Sequence, residues 1–112
     1  MFWYDGRLFK IVQTSGRTQT GSDTVFQYFQ KGDLLKGKYS GGEIEYGHIL
    51  GLVDEDGRLN FRYHHITYEG AIMTGKCKSR PEVLENGKIR LHERWQWTCG
   101  DRSKGTSILE EI

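Results

Sequence analysis

Apolar and aromatic residues alternate with polar ones in short runs along this chain. The runs are separated by turn pairs: Asp5-Gly6, Gly32-Asp33, Gly41-Gly42, Asp56-Gly57, Glu69-Gly70 and Asn86-Gly87. Alternation with a period of two gives each strand one inner and one outer side-chain set, and such pairs bend one strand back into the next. The pattern predicts strands over 7–13, 24–31, 34–40, 43–54, 58–67, 70–79, 82–85, 88–98 and 105–111. No segment carries the stripe of an amphipathic helix.

Parity can be followed from hairpin to hairpin, because a slip of one residue turns a strand's whole side-chain set to the other face. With Gly32-Asp33 as a two-residue turn, Phe26, Tyr28 and Gln30 share a face with Tyr39, Gly37 and Leu35. Gly41-Gly42 sets that face opposite Ile44, Tyr46 and His48, and Leu50 and Leu52 extend it. The loop from Asp54 to Gly57 continues it into Leu59, Phe61, Tyr63 and His65, and a loop at Tyr68 to Gly70 into Ala71, Met73, Gly75 and Cys77. Around Ser79-Arg80-Pro81 the lone proline interrupts the pattern, as a bulge or an edge does. Ile89, Leu91, Glu93, Trp95 and Trp97 then resume the inner face.

The opposite faces carry Glu43 and Glu45, then Asn60, Arg62 and His64, then Lys76 and Lys78, and finally Arg90, His92, Arg94 and Gln96. These should meet water. The expected fold is all-β: an antiparallel up-and-down meander of about eight strands closing into a β-barrel, since closure removes exposed sheet edges. One domain spans 1–112. The polar connection from Thr14 to Asp23 is either a lid over one mouth or a mobile loop.

The expected interior is unusually polar. Tyr28, Gln30, Tyr39, Tyr46, His48, Tyr63, His65, Glu93, Trp95 and Trp97 join Phe26, Leu50, Leu52, Leu59 and Phe61. Buried polar tips need partners. The registers set His48 against Tyr63 and Tyr46 against His65, so that polar tips gather in one half while Leu50, Leu52, Leu59 and Phe61 fill the other. Glycines at 37 and 75 leave volume for a cavity. Glu93, between Leu91 and Trp95, must be paired, protonated or ligand-binding.

Composition narrows the function. Sixteen Lys plus Arg against fifteen Asp plus Glu leave a net charge of +1, too little for a bulk pull toward nucleic acid or anionic membrane. The N-terminal segment from Met1 to Arg7 lacks a signal's basic and apolar regions, and no apolar run approaches the roughly 20 residues of a membrane span. A cytoplasmic protein is expected, with Cys77 and Cys99 reduced. No CxxC, HxH or HExxH spacing marks a metal site, and no GxSxG, Walker or GxGxxG loop marks a known catalytic or cofactor site.

Several segments together resemble a known family: Thr24-Val25-Phe26-Gln27-Tyr28-Phe29-Gln30, Gly37-Lys38-Tyr39-Ser40-Gly41-Gly42-Glu43-Ile44, Phe61-Arg62-Tyr63-His64, and Arg90-Leu91-His92-Glu93-Arg94-Trp95-Gln96-Trp97-Thr98 with Gly100-Asp101 and Gly105-Thr106-Ser107. They are similar to a family of small bacterial proteins often labelled N-acetylglutamate synthase. The resemblance implies a small barrel of the lipocalin or avidin kind and carries over no catalytic residue. An acetyltransferase of that name needs an α/β domain with a phosphate-cradling loop before a helix, and the predicted elements contain neither.

The reading that fits these residues is a small-ligand-binding barrel whose pocket is lined by Tyr28, Tyr39, Tyr46, His48, Tyr63, His65, Glu93, Trp95 and Trp97. One alternative is an enzyme using Glu93 as general acid or base beside a His or Tyr. Another is an interaction module using the outer basic face of Arg62, His64, Lys76, Lys78, Arg90, His92 and Arg94. No cofactor is implied, nucleic acid and membrane are disfavoured as partners, and self-association is left open.

Overall fold

The computed structural model describes residues 3–112, so Met1 and Phe2 of the N-terminal segment lie outside the described residues. Eight antiparallel strands follow one another: β1 (Leu8–Ser15), β2 (Val25–Lys31), β3 (Leu34–Gly41), β4 (Ile44–Val53), β5 (Leu59–Thr67), β6 (Ile72–Val83), β7 (Ile89–Trp97) and β8 (Lys104–Glu111). Each pairs with the next and β8 pairs with β1, closing the barrel expected from the hairpin pattern. Among the described residues no helix is long and apolar enough to cross a membrane.

The segment 82–85 is not a strand of its own: Glu82 and Val83 end β6, which runs unbroken through Pro81 opposite Leu91 of β7. The pairing of β6 with β5 stops at Ser79. Beyond that point a residue without an N–H forfeits no ladder bond on the β5 side.

Parity holds from β2 to β3, where Phe26 faces Tyr39, Tyr28 faces Gly37 and Gln30 faces Leu35. It fails at β4. A bulge near Glu45 inserts one extra residue, so Ile44 faces Gly41 but Gly47 faces Tyr39. Ile44, Gly47, Ile49, Gly51 and Val53 therefore point inward, while Tyr46, His48, Leu50 and Leu52 stand outside. Tyr46, Leu50 and Leu52 are each more than half exposed. The pairing of Val53 with Leu59 restores the expected faces, and Leu59, Phe61, Tyr63 and His65 point inward as the sequence indicates.

Inward glycines face aromatic rings across the ladder: Gly37 meets Tyr28, Gly47 meets Tyr39, Gly51 meets Phe61, Gly75 meets Tyr63 and Gly105 meets Trp95. At Gly47 and Gly75 a Cβ would collide with the tyrosine ring itself. The expectation that Gly37 and Gly75 leave empty volume is thus corrected, because the rings opposite use that space.

The lower half of the barrel is filled by Phe9, Leu35, Val53, Leu59, Ile89, Leu91 and Leu109, and Tyr4 plugs the open end. Tyr4 donates its hydroxyl proton to the Gly57 carbonyl at 2.5 Å. The expected division into a dry and a polar half holds only in part: of the four residues assigned to the dry half Leu59 alone lies there, since Leu50 and Leu52 stand outside the barrel and Phe61 belongs to the polar half. Outside, Arg90 and His92 pair with Glu82 and Arg90 also with Glu110, whereas Arg62, Lys76, Lys78 and Arg94 form no ion pair among the described residues.

Candidate functional site

The upper half of the barrel holds a partly open cavity of about 60 Å³. Strand alternation delivers one to three such groups to it from each of five strands: Tyr28 from β2, Tyr39 from β3, Tyr63 and His65 from β5, Cys77 from β6, and Glu93, Trp95 and Trp97 from β7. Seven of the nine residues proposed from the sequence therefore line one space. Tyr46 and His48 do not: the β4 bulge turns them outside, where the Tyr46 hydroxyl bonds His48 Nε2 at 2.9 Å. The expected pairs of His48 with Tyr63 and Tyr46 with His65 are replaced by His48 with His64 and Gly47 with His65.

The connection between β1 and β2 folds over the mouth. Thr18, Gln19 and Thr20 line the cavity from above. The Gln19 carbonyl accepts from the Glu43 N–H at 2.9 Å, Asp23 Oδ1 from the Gly42 N–H at 2.9 Å, and the Arg17 carbonyl from Trp97 Nε1–H at 2.9 Å. Gln19 is the group that strand parity cannot reveal, since it lies on no strand.

Gln19 closes a chain of hydrogen bonds. Its Oε1 accepts from His65 Nε2–H at 2.6 Å, which leaves His65 Nδ1 to accept from the Tyr39 hydroxyl at 2.8 Å. Both ring nitrogens are satisfied by the neutral imidazole, and burial, with a smaller contribution from His64, lowers the His65 pKa to about 4. The indole N–H of Trp95 is donated to Ser107 Oγ at 3.0 Å. With the Trp97 N–H given to the lid, neither tryptophan keeps a polar atom for the cavity.

Glu93 is 9% exposed and forms no ion pair among the described residues. Ser79 Oγ donates to its Oε2 at 3.0 Å. Burial outweighs that bond and the adjacent Cys77 thiol, raising the carboxyl pKa to about 7. Burial also holds the Tyr28, Tyr39 and Tyr63 hydroxyls and the Cys77 thiol in their protonated forms. The Tyr28 hydroxyl is fully buried and has no hydrogen-bond partner among the described residues. Buried orphans of this kind are rare in native proteins, and a group that binds something is one reason for them.

Cys77 and Cys99 are free thiols. Among the described residues no cluster of three or more His, Cys, Asp or Glu could hold a metal ion. Compared with known proteins, residues 2–112 match the family model described as "Avidin-like protein". No curated protein and no solved structure matches the chain.

Proposed function

The chain belongs to the avidin-like protein family, and from that premise we propose that it binds a small ligand inside the barrel, beneath the lid formed by Thr18, Gln19 and Thr20. The observation that carries the reading is the buried, unpartnered Tyr28 hydroxyl in the wall of the same cavity as Glu93. An unmade hydrogen bond in a dry interior costs about 1–3 kcal/mol, and a ligand that completes it recovers that energy.

Binding divides among the residues by chemistry. Trp95 and Trp97 supply apolar surface, Glu93 and Tyr28 supply direction, and His65 and Tyr39 hold the lid through Gln19. Closure of the lid excludes water, which strengthens each polar contact inside. The cavity of about 60 Å³ lies well under the roughly 300–1,000 Å³ of drug-sized ligand pockets. It therefore suits a few heavy atoms, or the head of a longer molecule whose tail passes the lid.

Native mass spectrometry of gently purified protein tests this, with denaturation to release whatever it carries. A retained small molecule, diminished in Tyr28→Phe, is the expected result. Protein with an empty cavity that also fails to take up any member of a fragment library would overturn the reading.

A further inference from the structure

Hydrogen-bond bookkeeping around the cavity leaves a short remainder. The indole N–H groups of Trp95 and Trp97 are spent on Ser107 and Arg17, and the Tyr39, His65 and Gln19 groups are spent on one another. What still needs a partner is the fully buried Tyr28 hydroxyl and the carboxyl of Glu93, which a single serine hydroxyl and a thiol do not neutralise, together with the Tyr63 hydroxyl in the same wall, which makes no hydrogen bond among the described residues. No cationic side chain of the described residues lines the space.

We propose that the cavity takes a small organic cation, a primary ammonium or guanidinium group, held between the Glu93 carboxylate and the Tyr28 hydroxyl oxygen against the Trp95 and Trp97 rings. The inference rests on the ligand-binding reading above and names its ligand class. A carboxylate taken from water needs a charge partner. The aromatic walls attract a cation through their π faces, most strongly when water is excluded. An ammonium or guanidinium also carries enough N–H groups to donate to Glu93 and Tyr28 together, which a hydrogen-bond acceptor cannot do while Glu93 is ionised.

The chemistry predicts its own pH signature. Among the groups facing the cavity, those of Tyr28, Tyr39, Tyr63 and Cys77 keep their protons and His65 stays neutral between pH 6 and pH 8. The walls from β1, β4 and β8 contribute Ile11, Ile44, Ile49 and Ser107, and the lid Thr18, Gln19 and Thr20, none of which titrates. Glu93 alone changes charge over that interval.

The test is titration of the full chain with methylammonium and guanidinium chlorides at pH 6 and pH 8, against acetamide and urea as neutral probes of similar size. The Trp95 and Trp97 indole N–H signals in two-dimensional NMR give the readout, with sodium chloride matching ionic strength. Saturable shifts with a cation, about tenfold tighter at pH 8 than at pH 6, are expected for a carboxyl titrating near 7. Glu93→Gln should abolish the pH dependence and weaken cation binding at pH 8 at least tenfold, whereas Tyr28→Phe should weaken binding and keep the pH dependence.

Saturable binding of acetamide or urea that tightens toward pH 6, without cation binding, would overturn the ligand class while the ligand-site reading stands. Cation binding unchanged in Glu93→Gln would also overturn it. No saturable shift with any probe, in the native protein or in a Gln19→Ala variant with its lid loosened, would overturn both.

Discussion

Tyr63 and Gly75 face each other across β5 and β6, and the tyrosine ring occupies the place that a side chain at residue 75 would take. The ring thereby lies against the wall and leaves the cavity beside it open. Glycine serves here as a seat for an aromatic ring, and the same device recurs at Gly47 under Tyr39.

Gly75→Ala should accordingly destabilise the protein by about 1–3 kcal/mol, the usual penalty for overpacking a filled core. Urea denaturation would measure it. A change near zero would mean that Tyr63 swings off the wall freely, in which case the NMR signals of Trp97, whose ring centroid lies 5.8 Å from that of Tyr63, should shift instead.

Stability should respond to pH through two opposed groups. The folded carboxyl of Glu93 keeps its proton up to about pH 7 while an unfolded glutamate loses it near 4.5, so stability falls as pH rises between those values. Folded His65 stays neutral down to about pH 4 while the unfolded imidazole protonates near 6.5, so stability rises with pH between 4 and 6.5. Each effect corresponds to about 3 kcal/mol. The native protein should show a near-flat profile where the intervals overlap. Glu93→Gln should rise across the His65 interval, reach a plateau, and exceed the native protein at pH 8 by about 3 kcal/mol in denaturant titrations.

Ser79→Ala removes the hydroxyl that donates to Glu93 Oε2. The carboxyl pKa should then move above 7, because the lost bond stabilised the ionised form. Carbon-13 NMR of the Glu93 carboxyl would follow the midpoint. The stability loss should be larger at pH 8 than at pH 5, since only the carboxylate needs the bond.

Gln19→Ala severs the lid from His65 while its backbone bond with Glu43 persists. Acrylamide should quench fluorescence from the cavity tryptophans more efficiently in this variant. Global stability should fall by only about 0.5–1.5 kcal/mol, the usual net contribution of one hydrogen bond. Unchanged quenching would show that the remaining bonds of the lid suffice to keep it shut.

The barrel was legible in the chain because hairpin turns and two-residue alternation are local signals, and each strand between Leu34 and Thr67 begins and ends within two residues of the pattern's indication. Glu93, Trp95 and Trp97 could be assigned inward for the same reason. β4 was the exception. Ile44, Tyr46, Ile49, Leu50, Leu52 and Val53 put apolar groups on both of its faces, so hydrophobic alternation cannot choose between registers. The signal that could have chosen was glycine, since Gly47 and Gly51 stand opposite Tyr39 and Phe61.

The amino-acid sequence by itself determined the all-β meander, its closure and a polar, aromatic interior around Glu93, because these follow from alternation and turn chemistry along neighbouring residues. Only the tertiary structure decided that a one-residue bulge expels Tyr46 and His48, that Gln19 reaches His65 across 46 positions of chain, and that the buried Tyr28 hydroxyl is left without a bond among the described residues. Those outcomes depend on packing between segments far apart in the chain, where a single inserted residue or loop path changes which groups meet.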